Sequence, residues 1–88
     1  MPNQDLTLTR ALSDLAVGEA AVVFALDGGS GLAARLAAMG VSPGARIVVL
    51  QNRGTGPLLA RVRDTRIALG RREAARILVQ ADGVGHRG

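Results

Sequence analysis

The chain has 88 residues, 48% of them hydrophobic, and a formal net charge of +4. This length suits one small domain, and the absence of cysteine excludes disulfides and thiolate metal sites. The longest apolar run, Ala20–Leu26, is far shorter than the roughly 20 residues that a membrane-spanning helix requires. Because residues 1–5 are too polar for a signal peptide, we expect a cytoplasmic protein.

Charge is distributed unevenly along the chain. Residues 45–88 contain nine arginines and three acidic residues, a net charge of +6, whereas residues 1–44 contain two arginines and four acidic residues, a net charge of −2. A basic half is compatible with an acidic partner, whether nucleic acid, membrane surface or protein. Coding bias also explains this composition, because every basic residue is arginine.

The chain shows no internal repeat, and its patterned part is framed by two unpatterned ends. We expect a flexible N-terminus over residues 1–10 and a flexible, glycine-rich tail over residues 81–88. One domain then occupies residues 11–80.

The domain opens with a predicted tight turn at residues 12–15, in which Leu12 and Leu15 cover the core. Ala20–Leu26 follows as a predicted strand, short and apolar enough to be buried on both faces. Phe24, the only aromatic residue of the chain, is expected to be buried with it.

A short helix is predicted next, because three apolar residues stand at i, i+4 and i+7. These residues are Leu32, Leu36 and Met39. Ser30 is a candidate N-cap. Gly40 suits the left-handed position just past the helix end, and Val41 would then fold back onto Leu36 in a Schellman motif.

The chain then turns sharply. Residues 42–45 predict a type II turn, with Pro43 fixing φ at the first central position and Gly44 taking φ > 0 at the second. The helix and this corner are predicted to organise the fold through six structural residues: Leu32, Leu36, Met39, Gly40, Pro43 and Gly44.

A hairpin is predicted in the C-terminal half, where apolar residues alternate with arginine. With residues 64–65 as a two-residue connection, Val62 pairs with Ile67. The same register places Arg63 opposite Arg66.

Three further elements complete the predicted fold: strands at Arg46–Gln51 and residues 77–79, and a single helical turn at residues 70–75. The fold class is therefore mainly β. We predict a small, partly open barrel or sandwich of about five short strands, with one short α-helix inserted after the first strand.

None of the motifs that suggest cofactor binding, metal binding or catalysis is complete. Residues 29–34 fit the pattern G-x-G-x-x-A, yet no acidic residue between Asp27 and Asp64 is available for the ribose of a dinucleotide. His86 is the only histidine, and neither a catalytic triad nor paired carboxylates are visible. We predict no catalytic residue, no cofactor and no high-affinity metal site.

The strongest functional candidates are Arg61, Arg63 and Arg66, which the alternation places on one outward face of the hairpin. Like charges opposite one another destabilise a sheet. We therefore hypothesise that these arginines bind an acidic partner. The alternative is a solvated face without a partner.

The order and spacing of several motifs resemble the FeoA family, small SH3-like proteins of bacterial ferrous iron transport. The segments that carry the resemblance are residues 12–19, with leucine, leucine and glycine; residues 35–44, with arginine-leucine, methionine-glycine and proline-glycine; Gly56-Pro57; residues 66–71; Ala75; and residues 77–79. They cover most of residues 12–80. Residues 52–56 depart from the family pattern, in which alanine-proline precedes glycine-aspartate-proline.

The resemblance implies a non-enzymatic cytosolic accessory module that docks on a FeoB-type membrane transporter with a GTPase domain. Contact with the membrane would occur only through that partner. The family is also described as binding transition metals, but no ligand set in this chain matches such a site.

Two alternatives remain open. A basic β-barrel of this size is compatible with nucleic-acid binding, although single-strand binders usually stack bases on several aromatic residues. An SH3-like module is also found as the C-terminal domain of iron-dependent repressors, which allows a metal-responsive role.

Overall fold

The structure, a computed structural model, describes residues 9–81. Six antiparallel strands form one open sheet in the order β1-β6-β2-β3-β4-β5. The strands are β1 (Thr9–Ala11), β2 (Ala20–Leu26), β3 (Arg46–Gln51), β4 (Leu58–Val62), β5 (Thr65–Leu69) and β6 (Ile77–Ala81). The helical elements are a 3₁₀ turn (Leu12–Asp14), helix α1 (Gly29–Ala38) and the short helix α2 (Arg71–Ala75). The predicted mainly β class is confirmed, with α1 between β2 and β3.

The core lies on one face of the curved sheet and consists of aliphatic side chains. Alternation buries every second residue of β4 and, as far as Val49, of β3, and α1 adds Leu36. The 3₁₀ turn adds Leu12, and Leu15 follows it, as predicted. The largest fully buried side chains are Leu12, Leu36, Ile47, Leu58, Leu69 and Ile77, together with Val23, Val41, Val49, Val62 and Val79. Among the described residues no polar or charged residue is buried.

Helix α1 ends in the predicted Schellman motif. Gly40 has φ +92°, its N–H donates to the carbonyl oxygen of Ala37 at 2.9 Å, and the N–H of Val41 donates to that of Leu36 at 2.9 Å. Both bonds satisfy carbonyls that the helix end would leave without partners. Val41 is consequently buried beside Leu36.

The start of α1 differs from the prediction. The helix begins at Gly29, so Ser30 lies inside the first turn rather than at the N-cap. Gly28 takes the N-cap position, where no side chain caps the helix. Glycine is favoured where the chain enters the helix, because Gly29 has φ +87° and a Cβ at Gly28 would require Leu32 Cδ2 to shift.

The predicted type II turn follows directly. Gly44 has φ +96°, and the N–H of Ala45 donates to the carbonyl oxygen of Ser42 at 2.9 Å. The turn docks on β2, because the N–H of Gly44 donates to Val23 O and the N–H of Val23 donates to Ala45 O, both at 2.8 Å. These bonds set where β3 begins.

The prediction that strand β2 is buried on both faces is wrong. The bonds from β2 to β6 skip one residue, so that Val23 pairs with Val79 and Ala25 with Leu78. Phe24 is left as the extra residue of a β-bulge and is 50% exposed rather than buried. The exposure follows from the alternation of faces, because the buried Ala21 and Val23 leave Phe24 on the outer face.

The ordered sheet also extends past both predicted domain boundaries. Strand β1 begins at Thr9 and pairs with β6, which continues to Ala81. Arg10, expected in a flexible terminus, donates to Glu19 Oε2 at 3.3 Å and to the carbonyl oxygen of Asp14 at 3.0 Å. Residues 1–8 and 82–88, including His86, lie outside the described residues.

Asn52 joins three elements at the end of β3. Its Nδ2 donates to the carbonyl oxygens of Ser13 at 3.0 Å and Leu15 at 2.8 Å, while its Oδ1 accepts from Arg71 Nη1 at 2.9 Å. The side chain therefore fastens the 3₁₀ turn and α2 to β3. This use of the loop was not predicted.

The helix corner yields a stability prediction. Gly40→Ala places a Cβ on a left-handed residue and 3.3 Å from Val62 Cγ1, which costs about 1 kcal/mol or more. For a domain of this size that lowers the melting temperature by about 4–8 °C, and Gly40→Val should lower it further.

The matched control is Gly31→Ala inside α1, where an added Cβ meets nothing within 4 Å. This variant should melt at or above wild type, because alanine favours a helix over glycine. Thermal unfolding followed by circular dichroism measures all three variants. Wild-type melting of both Gly40 variants would show that the helix does not end at this corner.

A pH dependence follows from Glu19. Its Oε1 accepts the Ala16 N–H at 2.7 Å, and this bond, with Arg10 nearby, lowers the pKa of Glu19 below its usual value. A carboxylate with a lowered folded-state pKa stabilises the fold above the unfolded pKa, and this stabilisation is lost as the pH falls. Glu19→Gln should therefore lower the melting temperature at pH 7, and the difference should vanish toward pH 3. A constant difference across this range would contradict the prediction.

Candidate functional site

The three predicted partner-binding arginines are all exposed at the β4–β5 hairpin, but the register differs from the prediction. Val62 pairs with Thr65, so the connecting residues are Arg63 and Asp64 rather than residues 64–65. Arg61 therefore lies opposite Arg66, whereas the prediction placed Arg63 there. Arg63 lies at the tip of the hairpin.

The observed register gives Thr65 a more favourable position than the predicted one. A turn at residues 64–65 would put the β-branched Thr65 at a turn position, whereas the observed turn leaves Thr65 in a strand, where threonine is favoured. Ile67 now pairs with Ala60 instead of Val62. Because this slip is two residues, every side chain keeps its face, and the apolar pattern cannot distinguish the two registers.

A groove of about 450 Å³ runs along the outer face of the sheet beside this hairpin. Its lining residues come from the Pro43–Gly44 corner, β3, β4 and the hairpin tip: Gly44, Ala45, Arg46, Val48, Arg61, Arg63 and Asp64. Ile47 lies opposite Val62. Next to this pair are Arg46, the first residue of β3, and Arg63, the residue just past the end of β4. The corner that ends α1 thus brings β3 and its arginine to the hairpin.

Arg46 is a site residue that the sequence prediction missed. It alternates with the buried Ile47 and shares the outer face of β3 with the half-buried Val48. This alternation is visible in the sequence, but Arg46–Gln51 is apolar enough to favour a fully buried strand. Only the pairing of β3 with β4 brings Arg46 to the other arginines.

Arg61, Arg63 and Arg66, which lie in or beside this basic groove, form no ion pair with any residue between 9 and 81. Both ion pairs between residues 9 and 81 lie elsewhere, joining Arg10 to Glu19 and Arg35 to Glu73. No side-chain hydrogen bond joins Arg61, Arg63 or Arg66 to another residue in this part of the chain. Asp64 is the only acidic residue of the lining.

Two features of the hairpin are locally unfavourable. Arg61 and Arg66 are directly opposed like charges, which destabilise a sheet. Arg63 has φ 60° and is the only described residue other than glycine with a positive φ, which costs roughly 1 kcal/mol or more. Such departures from local preference concentrate at functional sites.

The six predicted structural residues lie on helix α1 and in the corner that follows it. Leu36 is fully buried, and Leu32 and Met39 pack against the core from the same helix. Gly40 approaches β4, since a Cβ there would lie 3.3 Å from Val62 Cγ1. Gly44 itself lines the groove, and Pro43 precedes it in the turn.

Between residues 9 and 81, no three His, Cys, Asp or Glu side chains come close enough to hold a metal ion. None of the helices in this region is long and apolar enough to cross a membrane.

At the hairpin tip, one substitution should stabilise the fold and at the same time remove a charge from the groove. Arg63→Gly relieves the left-handed strain and should raise the melting temperature by a few degrees, while it removes one charge from the groove. Ala68→Gly on β5 is the control, because this residue is exposed and uncharged and glycine inside a strand destabilises it. Differential scanning calorimetry should place Arg63→Gly above wild type and Ala68→Gly below. A lower melting temperature for Arg63→Gly would contradict the described turn.

Comparison with known proteins supports the identification of the domain. A family model described as FeoA domain matches residues 10–81. The Fe(2+) transport protein A of Methanocaldococcus jannaschii is 35% identical over 63 residues, which cover 72% of this chain and 76% of that protein.

Solved structures agree in fold. An iron uptake regulatory protein, FeoA, superposes with a TM-score of 0.79 at 33% identity, covering 82% of this chain and 96% of the other. The zinc complex of Stenotrophomonas maltophilia FeoA, described as an SH3 domain protein, gives 0.69 at 32% identity, covering 78% and 87%. A manganese-dependent transcriptional repressor shares only the fold, with a TM-score of 0.75 at 23% identity over 83% of this chain and 41% of the repressor. The chain therefore belongs to the FeoA family and has its SH3-like fold.

Proposed function

We propose that this chain is a non-enzymatic, cytosolic accessory module of ferrous iron transport. In this role it docks on a FeoB-type membrane transporter that carries a GTPase domain, and modulates it. Membership of the FeoA family supports the link to iron transport, and the relative from Methanocaldococcus jannaschii is named for Fe(2+) transport. Contact with the membrane occurs through the transporter.

The observation that carries the docking proposal is the basic groove at the β4–β5 hairpin. Arg61, Arg63 and Arg66 are exposed and form no ion pair among residues 9–81. The fold also tolerates the opposed Arg61–Arg66 pair and a left-handed Arg63 at this surface. A protein partner with acidic side chains would relieve the mutual repulsion of the arginines. Charged surfaces of this kind also accelerate association with a complementary partner.

The acidic residues that make close contacts support a module rather than an enzyme. Glu19 caps the loop before β2 and pairs with Arg10. Glu73 accepts the N–H of Gly70 at 3.1 Å and pairs with Arg35, which fastens α2 to α1. Each contact positions an element of the fold, and none converges on the basic groove.

A metal-responsive role is the second candidate, because the Stenotrophomonas maltophilia relative is a zinc complex. The described residues of this chain give it less support than docking, since they bring no set of three His, Cys, Asp or Glu together. Nucleic-acid binding is likewise less supported, because the chain has a single aromatic residue on which a base could stack.

Charge reversal tests the docking surface. Arg61→Glu with Arg63→Glu should weaken capture of the FeoB-type transporter of the same organism by about tenfold or more, because attraction becomes repulsion. Melting should change little, since both side chains are exposed and keep a Cβ. Detergent-solubilised transporter and tagged full-length chain, measured by biolayer interferometry, provide the readout.

Arg53→Glu with Arg72→Glu is the charge-matched control, because both arginines are exposed and neither lines the groove. This control should bind the transporter like wild type, apart from a small effect at low salt. Equal losses in the two double variants would show that net charge, and not the groove, governs binding. Undiminished binding of the groove variant would refute docking at this site.

A further inference from the structure

Three features of the groove remain unexplained by a purely basic docking surface. Its lining includes the apolar Val48 and the acidic Asp64. The half-exposed Phe24 follows Val23, whose backbone bonds to the lining residues Gly44 and Ala45. A simple polyanion would use none of the three. Together they indicate the chemistry of the partner segment.

Apolar and basic side chains alternate across the outer face of the sheet. In one row Val48 of β3 lies opposite Arg61 of β4, which lies opposite Arg66 of β5. In the next row Val22 of β2 lies opposite Arg46 of β3. The valines are half-buried and the arginines exposed. A ligand lying on this face therefore meets apolar contacts between positive charges.

Phe24 extends the apolar part of this surface. It follows Val23, whose backbone bonds to Gly44 and Ala45 on the groove rim at 2.8 Å. Phe24 faces outward by alternation with the buried Val23 and is the bulge residue in the pairing of β2 with β6. Half-exposed aromatic side chains beside arginines are typical anchors of protein interfaces.

Asp64 argues against a phosphate polymer. A nucleic acid or an anionic lipid surface presents closely spaced negative charges, and some of them would approach this carboxylate. A protein segment can avoid the repulsion, because it can place a neutral or basic residue beside Asp64. Guanidinium groups bind carboxylates through paired hydrogen bonds, so acidic side chains suit Arg61 and Arg66.

We propose that the basic groove binds an acidic protein segment that also carries apolar side chains. Its carboxylates pair with Arg61 and Arg66, one apolar side chain packs against Val48 and a second packs against Phe24. This inference rests on the proposed docking function, for which it specifies the binding element of the partner. Acidic peptides should therefore bind the isolated full-length chain more tightly than RNA or anionic vesicles do.

The test uses the ¹⁵N-labelled full-length chain and a synthetic peptide of four Glu-Glu-Leu repeats. Heteronuclear NMR should show shifts at the amides of Val48, Arg61 and Arg66. Peptides of Glu-Glu-Ser and Gln-Gln-Leu repeats should bind at least about threefold and tenfold more weakly, because one lacks apolar contacts and the other lacks carboxylates. Oligouridylate and phosphatidylglycerol vesicles should bind more weakly than the acidic peptide at the same ionic strength.

Variants locate the binding. Arg61→Gln with Arg66→Gln should reduce affinity for the Glu-Glu-Leu peptide about tenfold, and Phe24→Ala about threefold. Arg53→Gln with Arg72→Gln, which changes net charge equally, should bind like wild type. Absent peptide binding, tighter binding of RNA or vesicles, or equal losses in both double variants would each overturn the inference.

The two proposals can fail separately. Peptide binding in the groove without capture of the transporter would refute the proposed function and leave this inference standing. Capture of the transporter that is sensitive to Arg61 and Arg63, without binding of the acidic peptide, would refute the inference alone.

Discussion

The hydrogen bond from the Val41 N–H to the carbonyl oxygen of Leu36 is the contact on which the rest of this domain depends. It forms only because Gly40 adopts φ +92°, which reverses the chain after helix α1. The reversal buries Val41 and leads into a turn that bonds to Val23 on β2. Strand β3 therefore starts beside β2 in a set register, and each later strand pairs with its predecessor or closes the sheet.

The candidate site is built on this frame at a cost in local stability. An arginine at φ 60° and an opposed arginine pair are both unfavourable in an isolated hairpin. They are tolerated because the opposite face of the hairpin is fully engaged, with Leu58, Ala60 and Val62 buried in the core. The hydrophobic core thus holds in place a surface that its own charges would otherwise loosen.

The fold also separates contacts that stabilise the domain from charges that remain available to a partner. Glu19 forms an ion pair with Arg10, and Glu73 forms one with Arg35. These two pairs tie loops and helices together, unlike the arginines of the groove. Asn52 performs a similar role for the 3₁₀ turn and α2. Because these bonds are local to their elements, changes in the basic groove should leave them intact.

The sequence alone determined the features that depend on neighbouring residues: the end of α1 at Gly40, the turn at Pro43 and Gly44, and the outward face of Arg61 and Arg66. Backbone propensity and side-chain period act over a few residues and can be recognised without a structure. Tertiary pairing decided the rest. The hairpin pairs two residues away from the predicted register, a difference that preserves every face, and the pairing of β2 with β6 places a bulge at Phe24. A local sequence pattern does not specify which distant strands pair or in which register. The groove is therefore formed only when the sheet is folded.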